Sequence, residues 1–210
     1  MKVLLINGSP HEKGCTYTAL SLIAGELKAQ GIETEILHVG GQPVGGCIGC
    51  GGCRSGNGCV FGGVVNEAIE KAKTADAFVF GSPVHYASAA GNMASFMDRL
   101  AYAGGKYLAY KPAAVCCSAR RAGTTSTLDQ LVKYPQFFHM PLVNGSYWAM
   151  VHGSNPEQVL QDAEGCAVMQ ELGRNMAWLL RCIEAGKAAG IDHPQNPPRP
   201  TVSYTHLRAH

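Results

Sequence analysis

Short apolar runs alternate with amphipathic helical patterns along the chain, and this alternation constrains the fold more than any other feature. The runs end at glycine or polar residues and cover residues 3–6, 36–39, 77–80, 113–117 and, more weakly, 147–151. Continuous apolar runs of this length favour strands that are buried on both faces of a parallel sheet. Parallel strands need crossover connections, and the helical patterns between the runs are suited to that role.

The helical patterns cover residues 16–30, 64–74, 92–102 and 125–133, and the last of these is predicted to stop before Pro135. A fifth pattern begins at Asn155-Pro156 and reaches about residue 185, with a predicted weak point at Gly173. Five strands alternating with five helices predict one doubly wound α/β domain over residues 1–190, with a five-stranded parallel sheet.

The carboxy-terminal residues 191–210 differ from the rest of the chain. They are rich in proline and polar residues and show no periodicity, which predicts an unstructured tail. The last stretch, VSYTHLRAH, is similar to a translated adapter sequence, so we regard the tail as partly non-native and leave it out of the functional argument.

Charge and composition narrow the class of protein. A net charge of +2 over 210 residues indicates no nucleic-acid partner. The apolar run at the amino terminus stops at Asn7-Gly8 and is too short for a secretory signal or a membrane span, so we expect a cytoplasmic protein with no membrane partner. In that reducing compartment, nine cysteines are expected to be ligands, redox thiols or small core residues rather than disulfides.

Four of these cysteines form one compact motif, C-x2-C-x2-C-x5-C, made by Cys47, Cys50, Cys53 and Cys59. The glycines between them allow a tight coil that presents several thiolates to one centre, as in ferredoxin motifs that begin with the same spacing. A [4Fe-4S] cluster is therefore the leading hypothesis. A zinc site is the main alternative, although such sites usually use two separated cysteine pairs, and unmetallated redox thiols are the third.

The loop after the first strand, NGSPHEKGCTYT at residues 7–18, is a candidate phosphate site. It lacks the lysine of a Walker loop and the GxGxxG of dinucleotide folds. It offers the hydroxyls of Ser9, Thr16 and Thr18, two glycines and the amino end of a helix, which together can bind a phosphate without a cation. The alternative is structural, with Thr16 acting only as a helix N-cap.

The loop after the third strand, GSPVHYASAAGNMASFMDR at residues 81–99, is a candidate ring site. Ser82-Pro83 favours an extended backbone after the strand. Val84, His85 and Tyr86 can then lie against a planar ring while their amides contact its polar edge.

These two loops together resemble the NAD(P)H-dependent FMN reductase group of flavodoxin-like proteins, and with the cysteine motif they resemble the iron–sulfur flavoproteins of that group. The resemblance covers residues 1 to about 185 and implies FMN as a cofactor. It implies that the phosphate is held by Ser9, Gly14, Cys15 and Thr16, the isoalloxazine by Pro83, Val84, His85 and Tyr86, and the other side of the site by Ser118 through Gly123. Cys15 and His11 depart from the asparagine and arginine usual in the family.

The resemblance also implies an arrangement of the two centres. Flavodoxin-like sheets have strand order 2-1-3-4-5, so the cysteine motif after strand two is expected on the carboxyl edge, beside the FMN phosphate and farther from the ring. In the iron–sulfur flavoproteins the cluster communicates with FMN across a subunit contact, which implies a homodimer or homotetramer here.

Several other residues have more ordinary interpretations. Met93 and Met97, at i and i+4 of one helix, are expected in the core, as are four further cysteines, Cys116, Cys117, Cys166 and Cys182. Arg120 and Arg121 are equally consistent with binding the phosphates of NAD(P)H and with simple solvation. Tyr147-Trp148, expected at the end of the fifth strand, is predicted to serve packing more than flavin contact.

The leading functional hypothesis is an FMN-dependent oxidoreductase that passes electrons from NAD(P)H or a ferredoxin-like carrier, through FMN and the cluster, to a small-molecule or protein acceptor. No side chain is assigned as a catalytic acid or base, because the cofactors supply the bond chemistry. The first alternative is an FMN-only NAD(P)H-dependent flavin, quinone, nitro or azo reductase with a structural or zinc-binding cysteine loop. The second is a non-enzymatic electron carrier or a zinc-stabilised binding module.

Overall fold

The computed structural model describes residues 1–197, and the adapter-like stretch lies outside them. One sheet is formed by β1 (Lys2–Asn7), β2 (Glu33–His38), β3 (Ala77–His85), β4 (Ser88–Ala89), β5 (Ala113–Ala119) and β6 (Met150–His152). Its order is β2-β1-β3-β5-β6, all parallel, and the two-residue β4 pairs antiparallel with the end of β3. The predicted flavodoxin-like order is thus confirmed for the five parallel strands, and β4 is an addition.

The helices lie on both faces of the sheet and are α1 (Cys15–Ala29), α2 (Val64–Thr74), α3 (Gly91–Gly104), α4 (Thr124–Phe137), α5 (Pro156–Val159) and α6 (Ala163–Ala188). Short 3₁₀ turns occur at Gly52–Ser55 and Gly105–Tyr107. α1 and α6 share one apolar core with the sheet, whereas α2, α3 and part of α4 share the other. Met93 and Met97 are buried in the second core, as predicted.

Two expected helix breaks are wrong. Pro135 lies inside α4, but only two helical residues follow it, so the one hydrogen bond lost with its missing N–H is at the end of the helix. α6 continues through Gly173, and the break lies earlier, between α5 and α6. A Cβ at Gly173 would approach Ile23 O and Glu26 Cβ to 2.8 Å, so glycine there lets α6 pack closely on α1.

The strands also differ from their predicted bounds, and β2 begins three residues earlier, at Glu33. β3 continues beyond its predicted end at residue 80 as far as His85. Proline favours an extended backbone, so Pro83 is compatible with this continuation. Tyr147 and Trp148 are largely exposed and come before β6, not at its end.

The described part of the tail, residues 191–197, contains no helix or strand. His193 stacks on the ring of Tyr110, with centroids 4.3 Å apart, and Asn196 donates to the Tyr110 hydroxyl at 2.6 Å. Among residues 1–197, no helix has the length and apolar character needed to cross a membrane.

Candidate functional site

Three strand-to-helix loops meet at the carboxyl edge of the sheet. Asn7 pairs with Gly81 in the β1–β3 register, and Pro83 pairs with Ser118 in the β3–β5 register, so these strands end side by side. We call their loops, residues 8–14, 83–90 and 119–123, the three-loop edge. Edges of this kind are where open α/β sheets bind ligands.

The first loop is closed by its own hydrogen bonds. Asn7 Nδ2 donates to Glu12 O at 2.9 Å, and Asn7 Oδ1 accepts from the Ser9 N–H at 3.1 Å. The Ser9 hydroxyl accepts from the His11 N–H at 3.1 Å and keeps its own hydrogen to donate. Ser9 is buried, whereas His11 is exposed.

The amino end of α1 is formed without a side-chain cap. Gly14 is the N-cap, so the structural alternative, in which Thr16 acts only as the helix N-cap, is wrong. Thr16 lies in the first turn, is buried, and its hydroxyl shares a 2.8 Å hydrogen bond with the hydroxyl of Ser118. That bond connects the first loop to the end of β5. The free N–H groups of the first turn remain available to an anion.

Two side chains at the start of α1, those of Cys15 and Thr18, bond to backbone carbonyls of the protein. The Cys15 thiol donates to Gly153 O at 3.5 Å, and burial raises its pKa. The Thr18 hydroxyl donates to Gly14 O at 3.2 Å. Cys15 therefore offers its backbone N–H, and not its thiol, to the loop.

The ring loop is a two-residue hairpin between β3 and β4. His85 pairs with Ser88, so Tyr86 and Ala87 form the turn, and both have left-handed backbones with φ of 49° and 58°. Such turns favour glycine or asparagine, so this one is strained. Tyr86 and His85 are exposed at its tip.

Residues from α4 hold this hairpin in place. Gly123, with φ of 93°, packs so closely that a Cβ would lie 2.6 Å from Ala87 Cα and 2.9 Å from Val84 Cγ1. The Ser126 hydroxyl donates to Ala87 O at 2.6 Å. Gln130 Oε1 accepts from the Ser88 hydroxyl at 2.6 Å and from the Ala89 N–H at 2.9 Å. The sequence gives no signal for Ser126 and Gln130, because both contacts depend on how α4 packs.

Residues 39–63, here the cysteine segment, are irregular apart from one 3₁₀ turn. The start of the segment is fixed by Asn92 at the amino end of α3. Asn92 Nδ2 donates to Gly40 O at 3.2 Å and to Gln42 O at 3.0 Å, and its Oδ1 accepts from the Val44 N–H at 3.2 Å. Gly40 also packs against the backbone of Ser9, so the segment begins in contact with the first loop.

All four motif cysteines line one cavity of about 350 Å³, together with Arg99 and Tyr102 of α3. Cys47 and Cys50 are exposed, and Cys53 and Cys59 are half-buried. Over residues 1–197, no three Cys, His, Asp or Glu side chains are placed to hold one metal ion. The four thiols thus line one shared space.

Cys59 is the most firmly held of the four. Its N–H donates to Asn66 Oδ1 at 2.8 Å, and its carbonyl accepts from Asn66 Nδ2 at 3.0 Å. Its sulfur accepts a hydrogen bond from Arg99 Nε at 3.2 Å. Sequence reasoning missed both Asn66 and Arg99. A signal for Arg99 exists, since it interrupts the apolar face of α3 and has no carboxylate three or four residues away.

The cysteine cavity is positioned by α2 and α3. Cys59 contacts Asn66, the third residue of α2, and Arg99, which lies eight residues beyond Gly91, the first residue of α3. The cysteine segment begins beside the first loop, where Gly40 packs against Ser9. That the whole motif lies on the carboxyl edge beside the FMN phosphate stays a prediction.

The residues present fit the two groups that the resemblance implies. A neutral loop with hydroxyls, free helix N–H groups and a neighbouring strained hairpin suits a phosphorylated planar ring. Four thiols around one cavity, with a buried cation on its wall, suit a negatively charged thiolate centre.

The remaining cysteines divide into two groups. Cys116 and Cys117 are buried in β5, as predicted, and burial raises the pKa of both thiols, that of Cys117 to about 12. The prediction of burial is wrong for Cys182, which is exposed on α6, while Cys166 is half-buried and donates to Val159 O at 3.2 Å. Arg120 and Arg121 are both exposed in the loop after β5.

Comparison with known proteins gives concordant results. The chain is 28% identical over 192 residues to an iron-sulfur flavoprotein of Methanocaldococcus jannaschii, covering 88% of this chain and all of that protein. Its fold is similar to that of RosB, solved with bound 8-demethyl-8-formylriboflavin-5′-phosphate (TM-score 0.69, 14% identity, 100% and 96% of the two chains). It is also similar to an apo NADH:FMN oxidoreductase (TM-score 0.60, 20% identity, 86% and 88%). Residues 1–155 match the family described as NADPH-dependent FMN reductase, and the chain therefore belongs to that family of flavoprotein oxidoreductases.

Proposed function

We propose that this chain is an electron-transferring oxidoreductase that binds FMN at the three-loop edge and a [4Fe-4S] cluster in the cysteine cavity. Electrons enter from NAD(P)H or a reduced ferredoxin-like carrier and leave to a small-molecule or protein acceptor. The observation that carries the proposal is that one domain contains both a neutral phosphate loop and a separate cavity lined by four cysteines.

The FMN phosphate is held by Ser9 and by the backbone of Gly14, Cys15 and Thr16. The Ser9 hydroxyl donates one hydrogen bond, and the N–H groups of the uncapped first turn of α1 donate the others. Thr16 keeps this turn against β5 through Ser118.

The isoalloxazine lies against Pro83, Val84, His85 and Tyr86, and the loop from Ser118 to Gly123 closes the other side. Gly123 and Gln130 keep the hairpin in its strained turn, so its backbone amides are oriented before the ring arrives. When bound, FMN accepts hydride or single electrons, and the protein orients it.

The cluster is bound by Cys47, Cys50, Cys53 and Cys59. Zinc sites usually use two separated cysteine pairs, whereas three thiols at x2 spacing followed by a fourth favour a cluster. When bound, the cluster exchanges one electron at a time. The relative named as an iron-sulfur flavoprotein supports this assignment.

The comparisons also bear on the electron donor and on the assembly. The family name and the NADH:FMN oxidoreductase neighbour favour a nicotinamide donor. The resemblance to iron-sulfur flavoproteins favours a homodimer or homotetramer in which a cluster approaches the flavin of another subunit.

The experiment is purification of the full chain without oxygen, followed by visible spectroscopy and assays of FMN, iron, zinc and acid-labile sulfide. We expect a brown protein with about one FMN and about four iron atoms per chain, the latter set by one four-thiolate cluster. Cys50→Ala should remove the brown component and keep the yellow one, and Cys182→Ala is the matched control. Zinc without sulfide, or loss of FMN in Cys50→Ala, would contradict the proposal.

A second candidate is an FMN-only NAD(P)H-dependent reductase. It is favoured by the exposure of Cys47 and Cys50, and no three Cys, His, Asp or Glu side chains of residues 1–197 are placed to hold one metal ion. A yellow protein without iron that oxidises NAD(P)H with a quinone or nitroaromatic acceptor would support it over the first.

A further inference from the structure

Arg99 is a buried cation without an acidic partner. Its side chain is on α3, and only 6% of the residue is exposed. Within residues 1–197 no carboxylate forms an ion pair with it, and the adjacent Asp98 accepts instead from the Tyr134 hydroxyl at 2.6 Å. Buried charges are normally paired, because a charge removed from water is costly unless an opposite charge compensates it.

The side-chain hydrogen bonds of Arg99 all reach the cysteine segment. Nε donates to Cys59 Sγ at 3.2 Å, Nη1 to Gly45 O at 3.4 Å, and Nη2 to Gly62 O at 3.1 Å. Its guanidinium also lies 5.5 Å from the ring centre of Phe61. These partners give each guanidinium nitrogen one hydrogen bond but leave the positive charge uncompensated. The only one of them that can become an anion is the sulfur of Cys59.

The opposite charge would come from the occupant of the cavity. Four thiolates around a doubly positive metal core leave a net negative centre, and Arg99 lines the same cavity as all four cysteines. A cation at this distance stabilises that centre, and it stabilises the more negative, reduced form most.

We propose that Arg99 is the counter-charge of the cysteine cavity, where it stabilises the thiolate centre bound by the four cysteines and raises its reduction potential. Arg99 acts through Cys59 and through its charge, so it is a positioning residue. The effect on potential rests on the proposed function, since only a cluster changes its redox state. Reduction adds one electron to the centre and neither forms nor breaks a bond.

Three variants separate charge from geometry. Arg99→Gln removes the charge and keeps an amide donor. Arg99→Lys keeps the charge but cannot span Cys59, Gly45 and Gly62 together. Arg54→Gln is the matched control, because Arg54 lines the same cavity but is exposed, so that water screens its charge. Bound FMN and the thermal midpoint check that each variant is folded.

The first measurement is Co²⁺ titration of the metal-free full chain, followed by the absorption of Co²⁺–thiolate bonds. We expect the affinity to fall about tenfold or more in Arg99→Gln and less than about threefold in Arg99→Lys and Arg54→Gln. A wild-type chain that binds no Co²⁺, or an Arg99→Gln variant equal to wild type, would overturn the inference. If Arg99→Gln does not fold, Arg99→Lys decides, because a tenfold loss there would show that charge is not what matters.

The second measurement is the midpoint potential of the reconstituted cluster. Arg99→Gln should make reduction about tenfold less favourable, which is about 59 mV for one electron. An equal shift in Arg54→Gln would contradict a specific role for Arg99. If Co²⁺ binding depends on Arg99 but the protein never carries iron, the proposed cluster is rejected and the counter-charge role of Arg99 is supported. If the protein carries a cluster and neither measurement changes in Arg99→Gln, the cluster is supported and the role of Arg99 is rejected.

Discussion

The three-loop edge and the cysteine segment lie in one domain but differ in what holds them in place. The three-loop edge is an extension of the sheet, since its loops leave adjacent parallel strands and are joined by the buried Thr16–Ser118 hydrogen bond. The cysteine segment has no strand and is held by a few side chains of the neighbouring helices, namely Asn66, Asn92 and Arg99. The first site is thus specified by the fold, whereas the second is specified by individual contacts.

The largest effect is expected where the two regions touch, at Gly40 of the cysteine segment and Ser9 of the first loop. A Cβ at Gly40 would overlap the backbone carbonyl of Ser9 and approach Gly8 O to 2.6 Å, so Gly40→Ala must displace the first loop. We expect a loss of about 3 kcal/mol in the free energy of unfolding and loss of bound FMN. Urea unfolding and FMN fluorescence measure both. Gly45→Ala, with nothing within 4 Å of its new Cβ, is the matched control and should change neither.

Asn66→Ala should affect the cysteine segment alone. It removes both hydrogen bonds to the Cys59 backbone, each with a typical net contribution of about 1 kcal/mol. We expect about tenfold weaker metal retention against a chelator, with FMN affinity unchanged. Glu70→Ala, on the exposed face of the same helix, is the control. A parallel loss of FMN would show that the two regions are not independent.

Gln130→Ala tests the three-loop edge in the same way. It releases Ser88 and Ala89 and so loosens the hairpin, with an expected fivefold weaker binding of FMN, corresponding to about 1 kcal/mol. Metal content should not change. Gln136→Ala, exposed on α4, is the control, and Gln130→Glu, which keeps the acceptor oxygen, should restore much of the affinity. Unchanged FMN affinity would mean that the hairpin needs no support from α4.

The smallest expected effect concerns Glu35 of β2, which pairs with Lys71 of α2 at 2.6 Å and with Lys2 at 2.9 Å. Hydrogen bonds from these lysines lower the pKa of Glu35, so its contribution to stability is present at neutral pH and is lost as the pH falls. Glu35→Gln should lower stability at about pH 7 by less than about 1 kcal/mol. The difference should begin to shrink near the usual glutamate pKa of about 4.3 and be lost once the pH is below the lowered pKa of Glu35. Urea unfolding at about pH 7 and at a series of acidic pH values measures this. A difference that grows in acid would contradict the lowered pKa.

Sequence reasoning succeeded where a pattern is local. Apolar runs identified the five parallel strands, and the loops that follow them contain the candidate FMN residues. It failed where three-dimensional packing decides the outcome, as with β3 extending through Pro83 and α6 continuing through Gly173, which needs α1 as a neighbour. Arg99 and Cys59 are 40 residues apart, so no local pattern relates them.

The burial of Cys116 and Cys117 has a practical consequence for chemical labelling. Their raised pKa values leave almost no thiolate at neutral pH, so a maleimide reagent should not react with them. Once Cys182 is replaced by serine, the exposed thiols among residues 1–197 are Cys47 and Cys50 alone. A dye attached there would mark the mouth of the cavity, and protection from the dye would report its occupancy without isotopes or anaerobic spectroscopy.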